Sequence, residues 1–182
     1  MTHTDILNFW FSELSHEDRF NGGESIDTRI TKRFAGLHRE VVHAEHSHWR
    51  ATPEGALAEI IVLDQFSRNI HRGEAAAFAV DGQALTLAQV AIERGFDDER
   101  SAEQNLFLYL PFMHSESAVI HETAVPLFTK LGNEEALAYE RKHKDIIDRF
   151  GRYPHRNEQL GRKSTPEELE YLQETNEAFF AS

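Results

Sequence analysis

Apolar residues recur along this chain at the three- and four-residue steps of an α-helix nearly everywhere, and no stretch alternates convincingly as a strand would. Ile26, Ile30, Phe34, Leu37, Val41 and Ala44 form one stripe of an amphipathic helix that Ser25 could cap. Thr52-Pro53-Glu54 reads as a cap followed by proline at the first helical position. It opens a segment, Ala56 to Phe66, apolar on most sides and therefore expected at the centre of the molecule. Leu106 to Met113 is a second such segment, expected to begin near Ser101 and to end around Pro111.

Between these two, Leu85, Ala88, Ala91 and Ile92 mark a helix that Gly95 can close. After them Ile120, Ala124, Leu127, Phe128 and Leu131 mark another, which Pro126 should kink or split. Asn133 can cap a helix carrying Ala136, Tyr139, His143, Ile146, Ile147 and Phe150 on one face, with Gly151 just past its end. Thr165-Pro166-Glu167-Glu168 combines proline at the first position with a capping box and opens a last helix with Leu169, Leu172 and Phe179 inward. With a short helix around Asp5 to Leu14, the pattern predicts an all-α protein of seven or eight helices. Short connections favour antiparallel neighbours stacked in pairs. No signature recurs at the 34-residue period of tetratricopeptide repeats.

Composition narrows the picture. A chain of 182 residues, 40% hydrophobic and 27% charged, fits one globular domain over 1–182. It has no cysteine, so disulfides, thiolate nucleophiles and Cys-ligated metals are excluded. "MTHTDILNFW" lacks the basic start and apolar stretch of a secretory signal, and the longest apolar run, Leu106 to Met113, is eight residues; the expected location is the cytoplasm. A net charge of −12 disfavours nucleic acid and anionic membrane as partners. Against that background, the segment Arg149 to Lys163 carries Arg149, Arg152, Arg156, Arg162 and Lys163 with one acid, Glu158. Its charge is better met inside the protein, or by one small anion, than by a polyanion.

Three polar strings sit in apolar settings. "LDQFSRNIHRG" puts Asp64, Gln65, Arg68, Asn69 and Arg72 after the first buried segment, with Asp64 and Arg68 four apart and able to pair. "PFMHSES" puts His114, Ser115 and Glu116 after the second. His143 lies within an apolar stripe whose helix delivers the basic segment. A charge near a dry core costs several kcal/mol unless paired, so Asp64 and Glu116 need partners, and Arg149, Arg152 and Arg156 are the candidates.

Other chemistry is weaker. His114, Glu116, His121 and Glu122 match no helical metal motif, so no metal or cofactor is expected. His38, His43, His46 and His48 fall away from the apolar stripe and read as surface residues. Ser115 beside His114 and Glu116 cannot form a relay, because adjacent side chains point apart. His143 could serve as a general base, although a satisfied core histidine is the commoner case.

The strings "FWF" (Phe9 to Phe11), "LDQFSRNIHRG" (Leu63 to Gly73), "LPFMHSES" (Leu110 to Ser117), "KHKDIIDRFGRYPHRN" (Lys142 to Asn157) and "LGRKSTPEE" (Leu160 to Glu168) together resemble the bacterial family known as domain of unknown function 924. The chain departs from that pattern at Tyr153, which adds a hydroxyl, and at Pro126. The resemblance implies a helical fold similar to tetratricopeptide-like superhelices and brings no activity with it.

Taken together, the residues favour a binding protein over an enzyme. In this reading Arg152, His155 and Arg156 hold a small anion or the acidic end of a peptide. Asp64, Gln65 and Arg68 line the opposite wall, and His114, Glu116 and His143 form the floor; Asn69, Ser115, Arg149 and Asn157 belong to the same set. The competing readings are a hydrolase with His143 or His114 as base and arginines at an oxyanion, and a scaffold whose polar strings are only ion pairs.

Overall fold

The computed structural model describes residues 1–175. Among them lie nine helices and no strand, so the all-α expectation holds with more helices than the sequence pattern separated. We number them α1 (His3–Asn8, continued by a wide π turn over Phe9–Glu13), α2 (His16–Asn21), α3 (Gly23–Val42), α4 (Pro53–Ile61), α5 (Asp81–Glu93), α6 (Ala102–Met113), α7 (Ala118–Leu131), α8 (Glu134–Phe150) and α9 (Pro166–Glu174). Helix α4 widens into a π turn over Val62–Phe66 and resumes as Ser67–Ile70.

The caps read from the sequence act as expected. The Thr52 hydroxyl accepts from the Gly55 amide at 3.1 Å, and Ser101 and Asn133 accept from the first turns of α6 and α8. Thr165 and Glu168 close a reciprocal capping box on α9. Gly151 ends α8 at φ 68°, a left-handed conformation that a β-carbon would penalise. The exception is α3, whose N-cap is Gly22 and which already includes Ser25.

Every residue from Gly55 to Ile61 is buried, because α4 packs against α1, α5 and α6 together. Phe9, Trp10, Phe34, Phe66 and Phe107 meet edge-on or tilted around it, with ring centroids 4.8 to 6.1 Å apart. A smaller cluster of Ile146, Ile147 and Tyr153, flanked by Phe150 and Tyr171, joins α8 to the basic segment and α9.

Several expectations change. Helix α6 runs through Pro111 to Met113, and α7 runs unbroken through Pro126. Pro126 is exposed, so the carbonyl that loses its donor lies on the solvent side, where water can serve it. Leu169 is half exposed rather than inward, and Phe179 lies outside the described residues. His38 is buried, not on the surface, with its Nε2 2.8 Å from the Ser67 hydroxyl. By length and composition Ala75–Glu93 could cross a membrane. It folds here as a tight turn, Ala75–Phe78, followed by α5, with Ala84, Ala88 and Ala91 buried against the core.

Candidate functional site

Two helix faces of opposite character enclose a cleft of about 330 Å³. Gln65, Arg68, Asn69 and Arg72 stand at i, i+3, i+4 and i+7 on the last turns of α4 and just beyond, which makes one wall polar. Leu106, Leu110 and Met113, at i, i+4 and i+7 on α6, make another wall apolar. Arg19 and Phe20 of α2 and Tyr139 of α8 flank these walls, and His155 and Gln159 of the basic segment complete the enclosure.

His114 follows α6 directly and lines this cleft although it is only 4% exposed. Its Nδ1 lies 2.8 Å from Asp64 Oδ1. Asp64 is buried within the π turn over Val62–Phe66 that continues the buried helix α4. Burial alone would raise its carboxyl pKa, but the Arg68 guanidinium and His114 outweigh that and hold it well below the usual range. Asp64 is therefore ionised and accepts, so His114 donates through Nδ1–H and Nε2 carries the lone pair. No group among the described residues takes Nε2. Burial lowers the His114 pKa, Arg68 lowers it further, and Asp64 acts in the opposite direction.

Arg68 binds Asp81 in a two-pronged pair at 3.0 Å and also reaches Asp64 at 3.2 Å. Arg156, 6% exposed, approaches the same Asp81 at 3.4 Å and lies over the rings of Phe78 and Tyr153, 4.6 Å from each centroid. Two guanidiniums thus share two carboxylates behind the cleft. On the other flank Asp27 holds Arg72 through both oxygens and Asn69 at 2.8 Å.

The rest of the basic segment is tied down elsewhere. Glu116 is gripped by both ends of the Arg162 guanidinium, at 2.6 and 2.9 Å, and accepts the Tyr153 amide at 2.7 Å. Arg152 forks onto Glu168, and Arg149 meets Glu167. Asn157 donates to Ser164 and Glu168 and accepts from Arg162. These pairs fasten the segment to α9 and to the end of α6.

A second buried histidine system lies behind. His121 Nε2 is 2.9 Å from the Ser115 carbonyl and 3.1 Å from the Tyr153 hydroxyl oxygen, whose own proton goes to the Met113 carbonyl. Both neighbours of Nε2 accept, so it carries a hydrogen. His121 Nδ1 faces Glu140 Oε1 at 2.7 Å, and Glu140 Oε2 has no partner among the described residues. Burial raises the Glu140 pKa. The contact with His121 acts in the opposite direction. His143 is buried with Nδ1 2.8 Å from the Tyr139 carbonyl, and burial lowers its pKa to about 3.

Of the residues singled out in the sequence, Gln65, Arg68, Asn69, His114 and His155 line the cleft and Asp64 backs it. His143, Ser115, Glu116, Arg149, Arg152, Arg156 and Asn157 are not in its wall. Asp64 pairs with Arg68 as their spacing suggested, whereas the expected pairing of Asp64 and Glu116 with Arg149, Arg152 and Arg156 does not form; His114 and Arg162 take those places. Arg72 completes the i, i+3, i+4, i+7 face, a spacing that was readable from Gln65 onward. Asp81, the shared partner of two arginines, gave no local signal.

In comparisons with known proteins, the model of a family described as "Bacterial protein of unknown function (DUF924)" matches residues 6–176. A solved structure from Agrobacterium tumefaciens, the protein of unknown function ATU0120, is 38% identical, with a TM-score of 0.90 over 95% of this chain and 97% of that one. No curated protein matches.

Proposed function

The chain belongs to the DUF924 family of bacterial proteins of unknown function, and on that premise we propose that it binds a small molecule with an apolar body and a carboxylate or other anionic end. The observation that carries this reading is the two-faced cleft: Leu106, Leu110 and Met113 on one wall, and Gln65, Arg68, Asn69 and Arg72 on the other. Its volume, about 330 Å³, is at the small end of the roughly 300–1,000 Å³ usual for small-molecule sites. The apolar wall takes the body of the ligand, while the Arg68 guanidinium favours the anionic end. The reading includes a tetratricopeptide-like stacking of helix pairs, supported by the packing of α7 against both α6 and α8.

Butanoate, hexanoate and octanoate, with inorganic phosphate for comparison, are the probes. A ligand at 100 times its Kd stabilises the protein by about 2.7 kcal/mol, which thermal unfolding registers. The expected outcome is stabilisation by at least one of the longer carboxylates, lost in Leu106→Glu, which sets a like charge in the apolar wall. Equal stabilisation of Leu106→Glu, or none by any carboxylate, would remove the reading.

A further inference from the structure

We propose that His114 is a general base and that the cleft hydrolyses esters of short apolar carboxylic acids; this rests on the ligand site proposed above and assigns it a reaction. Three features of the geometry point to it. Asp64, buried and ionised, fixes the Nδ1–H tautomer of His114 at 2.8 Å. That leaves the Nε2 lone pair of a residue that lines the cleft without a partner among the described residues. A histidine oriented by a buried carboxylate, with its second nitrogen turned to a cavity, is the arrangement general-base catalysis requires. The Asp64 carboxylate is also paired with Arg68 at 3.2 Å, so a positive charge stands beside the base.

Ester hydrolysis moves one proton out and back, and a single base can carry it. Nε2 takes a proton from water as the water oxygen bonds to the acyl carbon, and the carbonyl π pair moves onto oxygen. Arg68, in the cleft wall, favours that oxyanion electrostatically. The oxyanion then collapses, the acyl carbon–oxygen bond to the leaving group breaks, and the departing alkoxide takes the proton from Nε2–H. One water is consumed, a carboxylic acid and an alcohol are released, and His114 is regenerated. The acyl chain rests on Leu106, Leu110 and Met113, so the acid produced is the kind of molecule the cleft is proposed to hold. No side-chain nucleophile enters the step; Ser115 is not in the cleft wall.

The test uses p-nitrophenyl butanoate, hexanoate and octanoate with the full chain. Wild type is expected to release p-nitrophenol above the buffer rate, with kcat/KM rising with pH to a plateau through one ionisation below 6.5. His114→Gln should lower kcat about 100-fold or more with KM little changed, Asp64→Asn should lower it in the same sense, and His43→Gln, an exposed residue, should leave it unchanged. Circular dichroism establishes that each variant is folded, and the wild-type pH profile tests the base even where a variant is not. Stabilisation by the free carboxylates without turnover of any ester overturns the catalytic inference alone. No binding of the carboxylates removes the site, and the inference with it. Turnover that survives in folded His114→Gln, or a kcat/KM that falls nowhere below pH 6.5 while the chain stays folded, shows that His114 is not the base.

Discussion

Between His121 and Glu140 the hydrogen-bond geometry allows one proton, and Glu140 Oε2 has no partner among the described residues, which argues that Glu140 keeps it, since a buried carboxylate with an unserved oxygen would be costly. Glu140→Gln retains a donor for His121 Nδ1 and is expected to cost only about 1 kcal/mol. Glu140→Ala leaves that nitrogen unserved beside a cavity and should cost about 2–4 kcal/mol. Urea unfolding of both variants checks this, and equal losses would mean the pair is ionic. Neither partner was legible as such. Glu140 is on a helix whose apolar stripe is clear, but an acid one step off that stripe reads as solvated. Glu59, buried in α4, is held by Nε and Nη2 of Arg50, a partner nine residues away that no local pattern named. His38 also fell off its stripe, yet it is buried against Ser67 and His71.

At the scale of elements, the start of α4 presses on the turn formed by Ser47–Ala51. A β-carbon at Gly55 would collide with the carbonyl oxygen of Trp49, a backbone atom that cannot swing aside. Alanine is the better helix former by about 1 kcal/mol, yet Gly55→Ala is expected to destabilise by about 1–3 kcal/mol, because overpacking at a fixed backbone outweighs propensity. A fall in the urea midpoint at unchanged m-value is the expected result; a rise would show that the turn yields. Caps, glycine ends and apolar stripes were readable because each is encoded within a few consecutive residues. The two π turns were not, since a widened turn leaves the sequence pattern nearly unchanged while shifting register, and one of these carries the buried Asp64.

For the whole molecule, burial lowers the pKa of His38 to about 4 and of His143 and His155 to about 3. All three have folded values below the unfolded value of about 6.5, so their contribution is fully present above pH 6.5 and is lost as pH falls toward 4 and then 3. In that window the unfolded chain binds more protons. The slope approaches about 1.4 kcal/mol per pH unit for the deeply buried His143, and the other two add to it in the same direction. Urea unfolding at pH 7 and pH 5 should show a lower midpoint at the more acid pH. An unchanged midpoint would mean that these rings are not kept neutral by burial. The low pKa of Asp64 adds acid sensitivity only below its unfolded value of 3.8.

The sequence by itself determined the helical class, most element ends and the polar face from Gln65 to Arg72, because periodicity and capping act over spans of a turn or two. It also pointed to polar strings at the ends of the most apolar segments, and five of the residues it named line the cleft. Only the tertiary structure decided which charges meet. Arg162 reaches Glu116 across 46 residues, Asp64 reaches His114 across 50 and Asp81 reaches Arg156 across 75. A guanidinium fits any carboxylate, so composition cannot choose among them, and the choice falls to the packing of helices that carries each pair within reach. That packing turned most of the basic segment into a fastening between α8 and α9, and left His114 facing a cavity with Asp64 behind it.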